Sequence, residues 1–241
     1  MADPRRAILE RIAAATGRDT GRPASPPAQA VVITPATGEP DALLARFGRS
    51  LDGLGVSWEV AESAVAARLK LVAQLQDEGV KQLLSWSDDQ LPVPGIVDAL
   101  TVLGVQVLSP QLPPGSDRLR VQDREGRVRF LSGIDAVETG LTGAEAAVAT
   151  TGTLVLRSGP GRSPLVSQLP RRHLLLLPAG RIFPTLEAWL AELRRRNDPL
   201  LSQADNVTLM TGPGRTLDIE LTAALGAHGP RQLHVIVVRG G

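Results

Sequence analysis

The chain has 241 residues, 43% of them hydrophobic, and 26 basic against 25 acidic side chains, for a formal net charge of +1. That size and balance fit one large or two small domains of an ordinary globular protein. No cysteine is present, which excludes disulfides, thiol catalysis and zinc or iron–sulfur clusters held on cysteines of this chain.

His173, His228 and His234 form no HxxxH or HExxH pair, so no metal site is expected and no cofactor is predicted. Tyrosine is absent and Phe plus Trp make up 2% of the chain, which removes the stacking platforms of a single-strand nucleic-acid binder. The basic residues are spread along the chain, so no nucleic-acid partner is expected. All but Lys70 and Lys81 of them are Arg; this is either a compositional bias or a preference for forked anion recognition. The first residues are charged and amphipathic, without the apolar core of a signal peptide, and no run approaches a membrane span. A cytoplasmic protein is the expectation.

Arg5 to Ala15 reads as a short helix, with Pro4 near its first turn and Gly17 as its stop. Gly17 to Pro40 is rich in Gly, Pro, Ser and Thr, with a β-like island at Val31-Val32-Ile33, and reads as an arm or linker. Residues 1–40 are therefore set apart from a body at 41–241. In the body, helices at Asp41–Leu54, Ser63–Glu78 and Pro92–Leu103 each end near a Gly and lead into short apolar strands. These strands are Val56–Val60, Val80–Trp86 and Val105–Leu108. The alternation predicts an α/β fold with a mainly parallel sheet covered on both faces.

Pro110 to Arg129 interrupts the rhythm, with a hairpin expected between Arg118–Gln122 and Arg127–Leu131. Beyond it the pattern predicts a strand at Asp135–Glu138, an Ala-rich helix at Ala144–Ala149 and strands at Thr153–Leu156 and His173–Leu177. A helix at Thr185–Arg196, a strand at Asn206–Met210, a helix opening at Thr216 and a last strand at Leu233–Val238 complete the chain. No internal repeat is evident.

Three constellations could carry chemistry. Thr150-Thr151-Gly152-Thr153 is a turn dense in hydroxyls and amides that either binds an anion or only starts a strand. Just before it, Glu145 is the ionisable group of an otherwise apolar segment, so it is either a solvated side chain or a functional one. Gly212-Pro213-Gly214-Arg215-Thr216 would place amides and Arg215 at a helix start, but it is neither a Walker A loop nor a GxGxxG fingerprint. Asp218 and Glu220 in that first turn already answer the helix dipole, which favours a ligand held by Arg215 or a carboxylate role for Asp218. His228, in Gly226-Ala227-His228-Gly229-Pro230, is a loop histidine free to face a cleft. His173 and His234, in strands, read as structural.

Taken together, these blocks resemble the lactate-utilisation protein C family, built on a single LUD domain. The resemblance rests on Leu141-Thr142-Gly143 with Ala149 and Thr151-Gly152-Thr153, and on Leu169-Pro170 with Arg172-His173. It rests further on Gly212-Pro213 with Arg215-Thr216 and Asp218-Ile219-Glu220, and on Gly226 with His228-Gly229-Pro230. Thr16-Gly17-Arg18 extends it weakly to the first helix. Two positions depart from the family pattern: Thr150 stands where Glu is usual, and Gly214 where Ser is usual. The resemblance implies a three-layer α/β/α sandwich similar to the CoA-transferase and sugar-phosphate-isomerase group. It also implies a role in oxidising L-lactate to pyruvate beside iron–sulfur partner subunits.

Three functions follow as expectations. The chain is a non-redox subunit of a lactate-oxidising assembly that binds a small carboxylate or its partners. Alternatively, it is a free-standing isomerase or acyl- or CoA-transferase-like enzyme with Glu145, Asp218 or His228 as acid, base or nucleophile. In a third reading it is an interaction module that docks through its first helix. The expected ligand contacts are Thr151, Gly152, Thr153, Arg172, Gly212, Gly214, Arg215, Thr216 and Gly229.

Overall fold

A computed structural model describes residues 38–110, 124–199, 204–217, 223–225 and 229–240, together with Ile8, Glu10, Arg11 and Ala14. The chain divides into two units, Met1–Thr34 and Pro35–Gly241. In the first unit the four described residues are helical, while the Val31–Ile33 island lies outside the described residues. The second unit contains every element named below.

Helix α1 (Pro40–Leu54) starts on a proline, buries Leu44, Phe47 and Leu51 along one face, and ends at Gly55 with φ 70°. Strand β1 (Ser57–Ala61) leads to α2 (Ala64–Asp77), whose cap is Ser63: its Oγ accepts from the Ala66 amide at 3.1 Å. Ala67, Leu71 and Leu75, one turn apart, form the buried stripe of α2. Next come β2 (Gln82–Ser85), a 3-10 turn at Asp88–Gln90, α3 (Ile96–Val102), β3 (Gln106–Leu108) and α4 (Arg124–Ser132). Strands β4 (Thr139–Gly143), β5 (Ala146–Val148) and β6 (Thr153–Ser158) precede α5 (Leu165–Gln168) and β7 (Arg172–Pro178). After a 3-10 turn at Ala179–Arg181, the described elements are β8 (Ile182–Phe183), α6 (Leu186–Arg195), β9 (Asn206–Thr211), β10 (Arg215–Leu217), β11 (Ala223–Leu225) and β12 (Gln232–Val238).

Six strands form a parallel sheet in the order β1-β12-β7-β4-β2-β3. Leu174 to Leu177 and Val235 to Val237 are buried without interruption, as strands covered on both faces require. Helices α2 and α3 pack against each other, and α5 packs on β4. This is the α/β class with flanking helices that the alternation predicts. A second sheet, β8-β5-β6-β9, is mostly antiparallel.

Four sequence expectations are corrected. Ala144–Ala149 is not a helix: Ala146–Val148 is a strand between β6 and β8. A helix so short has little stability of its own. Its small side chains instead allow close packing, with Ala146 buried against Val155, Trp189 and Leu193. Arg127–Leu131 is not a hairpin arm but part of α4, whose Phe130 and Leu131 pack against the core; the other arm, Arg118–Gln122, lies outside the described residues. The strand placed at Asp135–Glu138 begins instead at Thr139. Thr216 opens no helix: Arg215–Leu217 pairs antiparallel with Ala223–Leu225. The polar–apolar alternation of Thr216-Leu217-Asp218-Ile219-Glu220-Leu221-Thr222 carries that strand signal.

Candidate functional site at the carboxyl edge of the sheet

Neighbouring strands β2 and β4 run parallel, with Ser85 opposite Leu141. From β2 the chain crosses through α3 to β3 on one side; from β4 it crosses through β5, β6 and α5 to β7 on the other. Their carboxyl ends therefore form a topological switch point, where open α/β sheets leave a crevice for ligands. A cleft of about 230 Å³ opens there.

Glu145 occupies that cleft, its side chain only 13% exposed. The loop after β4 delivers it, and its backbone amide is pinned to the Val155 carbonyl at 2.8 Å. Two guanidinium groups flank the carboxylate, Arg162 Nη1 at 3.6 Å and Arg181 Nη1 at 3.5 Å. A nearly buried carboxylate needs such compensation. Arg162 is held twice more: its Nε donates to Gln90 Oε1 at 2.8 Å, and its Cζ lies 5.7 Å from the Trp86 ring centroid. Trp86 in turn donates from Nε1 to the Ser163 carbonyl at 3.2 Å. Arg181 is 45% exposed and is the freer of the two cations.

Glycines make the cleft possible. A Cβ on Gly143 would lie 3.0 Å from Pro92 Cδ, and one on Gly161, at φ 74°, would lie 2.8 Å from Gln90 Cγ. Arg162 and Arg181 belong to none of the three constellations evident in the sequence. One signal for Arg162 was present: Gly159-Pro160-Gly161-Arg162 repeats the Gly212-Pro213-Gly214-Arg215 tetrapeptide. The antiparallel neighbours β6 and β9 both run out into such a turn, at opposite ends of their sheet.

The turn after β9 lies beside the Thr-Gly-Thr turn, away from Glu145. Thr153 pairs with Thr211 in register, and their hydroxyls are 2.8 Å apart; Thr151 Oγ1 continues the chain at 2.7 Å from Thr153 Oγ1. Gly152 and Gly212, both at positive φ, pack against Leu54. The Gly214 amide, expected bare, donates to the Pro230 carbonyl at 2.9 Å, which brings Gly229-Pro230 to the same place. Three of the predicted turns thus meet, and Glu145 stands at the other end of the β5–β6 hairpin. Arg215 and Thr216 lie in β10, their side chains outside the described residues, as are Asp218 and His228. Arg172 lies at the amino edge of the parallel sheet, paired with Glu78.

His173 is buried in the core. Burial pushes its imidazole down to about 3, so the ring is neutral. Nε2 contacts Thr142 Oγ1 at 2.7 Å, and Nδ1 has no partner among the described residues. His234 bridges Ser57 Oγ, at 2.9 Å, and Glu59 Oε1, at 3.4 Å. Among the described residues, no group of three or more His, Asp or Glu is placed to hold a metal ion, and no helix is long and apolar enough to cross a membrane.

A mainly parallel sheet with a charged cleft at its switch point defines an α/β protein with a polar crevice at the strand ends. Residues 30–238 match the LUD domain, and the chain belongs to that family. An uncharacterized protein of Neisseria meningitidis serogroup B is 35% identical over 113 residues, 46% of each chain. Lactate utilization protein C of an Exiguobacterium species is 31% identical over 101 residues, covering 42% of this chain and 44% of that one. Its counterpart in Halalkalibacterium halodurans is 24% identical over 164 residues, covering 68% and 65%. The chain thus spans about half the length of the first two relatives. The crystal structure of a DUF162 family protein from Deinococcus radiodurans shares the fold, with a TM-score of 0.54 at 21% identity over 84% of this chain and 99% of that one.

Proposed function

We propose that the chain is a cytoplasmic subunit of a lactate-utilisation system that binds a small carboxylate at Glu145 and leaves electron transfer to iron–sulfur partner subunits. Relatives named lactate utilization protein C support the pathway. The absence of cysteine supports the division of labour. The observation that carries the site is the switch-point cleft, where Arg162 and Arg181 flank a nearly buried Glu145.

A 2-hydroxy acid suits this pattern. Its carboxylate takes the outward guanidinium of Arg181, and its hydroxyl donates to Glu145, while Trp86 and Gln90 keep Arg162 in place. In this reading residues 1–40 are an arm to a LUD-like body at 41–241.

The test is genetic. Deleting the gene in its native host abolishes growth on L-lactate as sole carbon source. The wild-type gene restores growth, while Arg181→Ala, expressed at equal level, does not. Normal growth of the deletion strain, or full rescue by Arg181→Ala, overturns the proposal.

A further inference from the structure

The amino edge of the parallel sheet, opposite the Glu145 cleft, holds a cavity of about 590 Å³. A second groove of about 310 Å³ shares Glu78, Arg172, Arg231 and Gln232 with it and continues to Ser57 and His234. The strand starts supply the lining. Arg172 stands in register between Thr139 of β4 and Gln232 of β12, and the Arg171 carbonyl accepts from the Arg231 amide at 2.7 Å and the Gln232 amide at 3.0 Å. The backbone from which these cations project is therefore set by the sheet.

Four cations, Lys81, Arg171, Arg172 and Arg231, face two carboxylates, Glu78 and Glu138. Arg172 pairs with Glu78, and Arg171 lies 3.6 Å from Glu138. Lys81 and Arg231 have no ion pair among the described residues. They precede β2 and β12, which are separated by β4 and β7 in the sheet. At a strand spacing of about 4.8 Å, the two unpaired cations start from strands about 14 Å apart. An extended peptide, rising about 3.3 Å per residue, crosses that span in about four or five residues.

The lining selects among anions. Among the described residues no aromatic side chain faces the cavity, so a nucleotide base has nothing there to stack on. The smaller groove also includes Gln74, whose Oε1 is buried without a partner among the described residues. An extended peptide supplies N–H donors along its length as well as carboxylates at spaced positions, which a single phosphate group does not. The geometry points to a docking groove for an extended acidic segment of a partner protein, with carboxylates on Lys81 and Arg231 at its two ends. This inference is independent of the carboxylate site at Glu145.

Fluorescence anisotropy of a labelled oligoglutamate peptide on the full chain tests it. The Lys81→Glu/Arg231→Glu variant is compared with Arg46→Glu/Arg194→Glu, two exposed positions outside the groove with the same change in net charge. The groove variant is expected to bind roughly tenfold more weakly and the control within about twofold of wild type, with the gap shrinking between about 0.05 M and 0.3 M salt. Circular dichroism verifies folding, and Lys81→Gln/Arg231→Gln replaces the reversal if that variant unfolds. Failure of wild type to bind, equal weakening by both charge reversals, or displacement by inorganic pyrophosphate at lower concentration than by unlabelled oligoglutamate overturns the assignment.

Discussion

Glu145 takes a negative charge out of water and relies on Arg162 and Arg181 to compensate it. Glu145→Gln keeps the shape of the side chain but leaves two guanidinium groups facing each other, so urea denaturation should show a loss of about 1–2 kcal/mol. Arg181→Ala should cost less than about 1 kcal/mol, because that side chain is half in water; an equal or larger loss would mean that Arg181 is mainly a structural tie. His173 sets a pH dependence of definite sign. Its folded pKa, about 3, lies below the ordinary 6.5, so the unfolded chain binds the extra proton between those values. The stabilisation is complete above about pH 6.5 and is lost as pH falls, by up to about 1.4 kcal/mol per unit. His173→Gln should flatten the change in urea midpoint between about pH 7 and pH 5.5 that this titration produces. An unchanged slope would place the titration elsewhere.

At the scale of elements, close approach decides the packing. Helix α5 lies so near β4 that a Cβ on Gly140 would stand 2.0 Å from the Val166 carbonyl oxygen. Backbone cannot yield as a side-chain tip does, so Gly140→Ala should cost about 1–3 kcal/mol by thermal or urea unfolding, and a neutral result would show that α5 shifts freely. The same scale separates what the sequence revealed from what it hid. Helices α1, α2 and α6 were legible because each presents a buried stripe at helical spacing, and α2 and α6 start on capping hydroxyls, Ser63 and Thr185. Strands β7 and β12 were legible as continuous apolar runs. Strand β5 was hidden because alanine favours helix locally, and only burial between β6 and β8 makes it a strand. Of the site, Glu145 was visible as a lone charge among apolar neighbours. Arg181 was not, and Arg162 only through its Gly-Pro-Gly-Arg turn, because both reach Glu145 from turns that the sheet order alone brings beside it.

On the scale of the whole molecule, the parallel sheet gives the protein two unlike edges. The carboxyl edge holds a small cleft with a compensated carboxylate; the amino edge holds a broad groove with surplus positive charge. The chain is almost neutral overall, so neither property follows from net charge, and each depends on which strand ends the topology sets side by side. Substitutions at the two edges should therefore act independently, since distant sites without shared partners add. Isothermal titration of the full chain with L-lactate reads ligand binding at the Glu145 cleft without a partner or a growth phenotype in between. Wild type and Lys81→Glu/Arg231→Glu should both bind saturably, and Arg181→Ala and Glu145→Gln should bind more weakly by roughly tenfold or more. No binding by wild type, or binding indifferent to both cleft substitutions, would contradict the carboxylate site at Glu145.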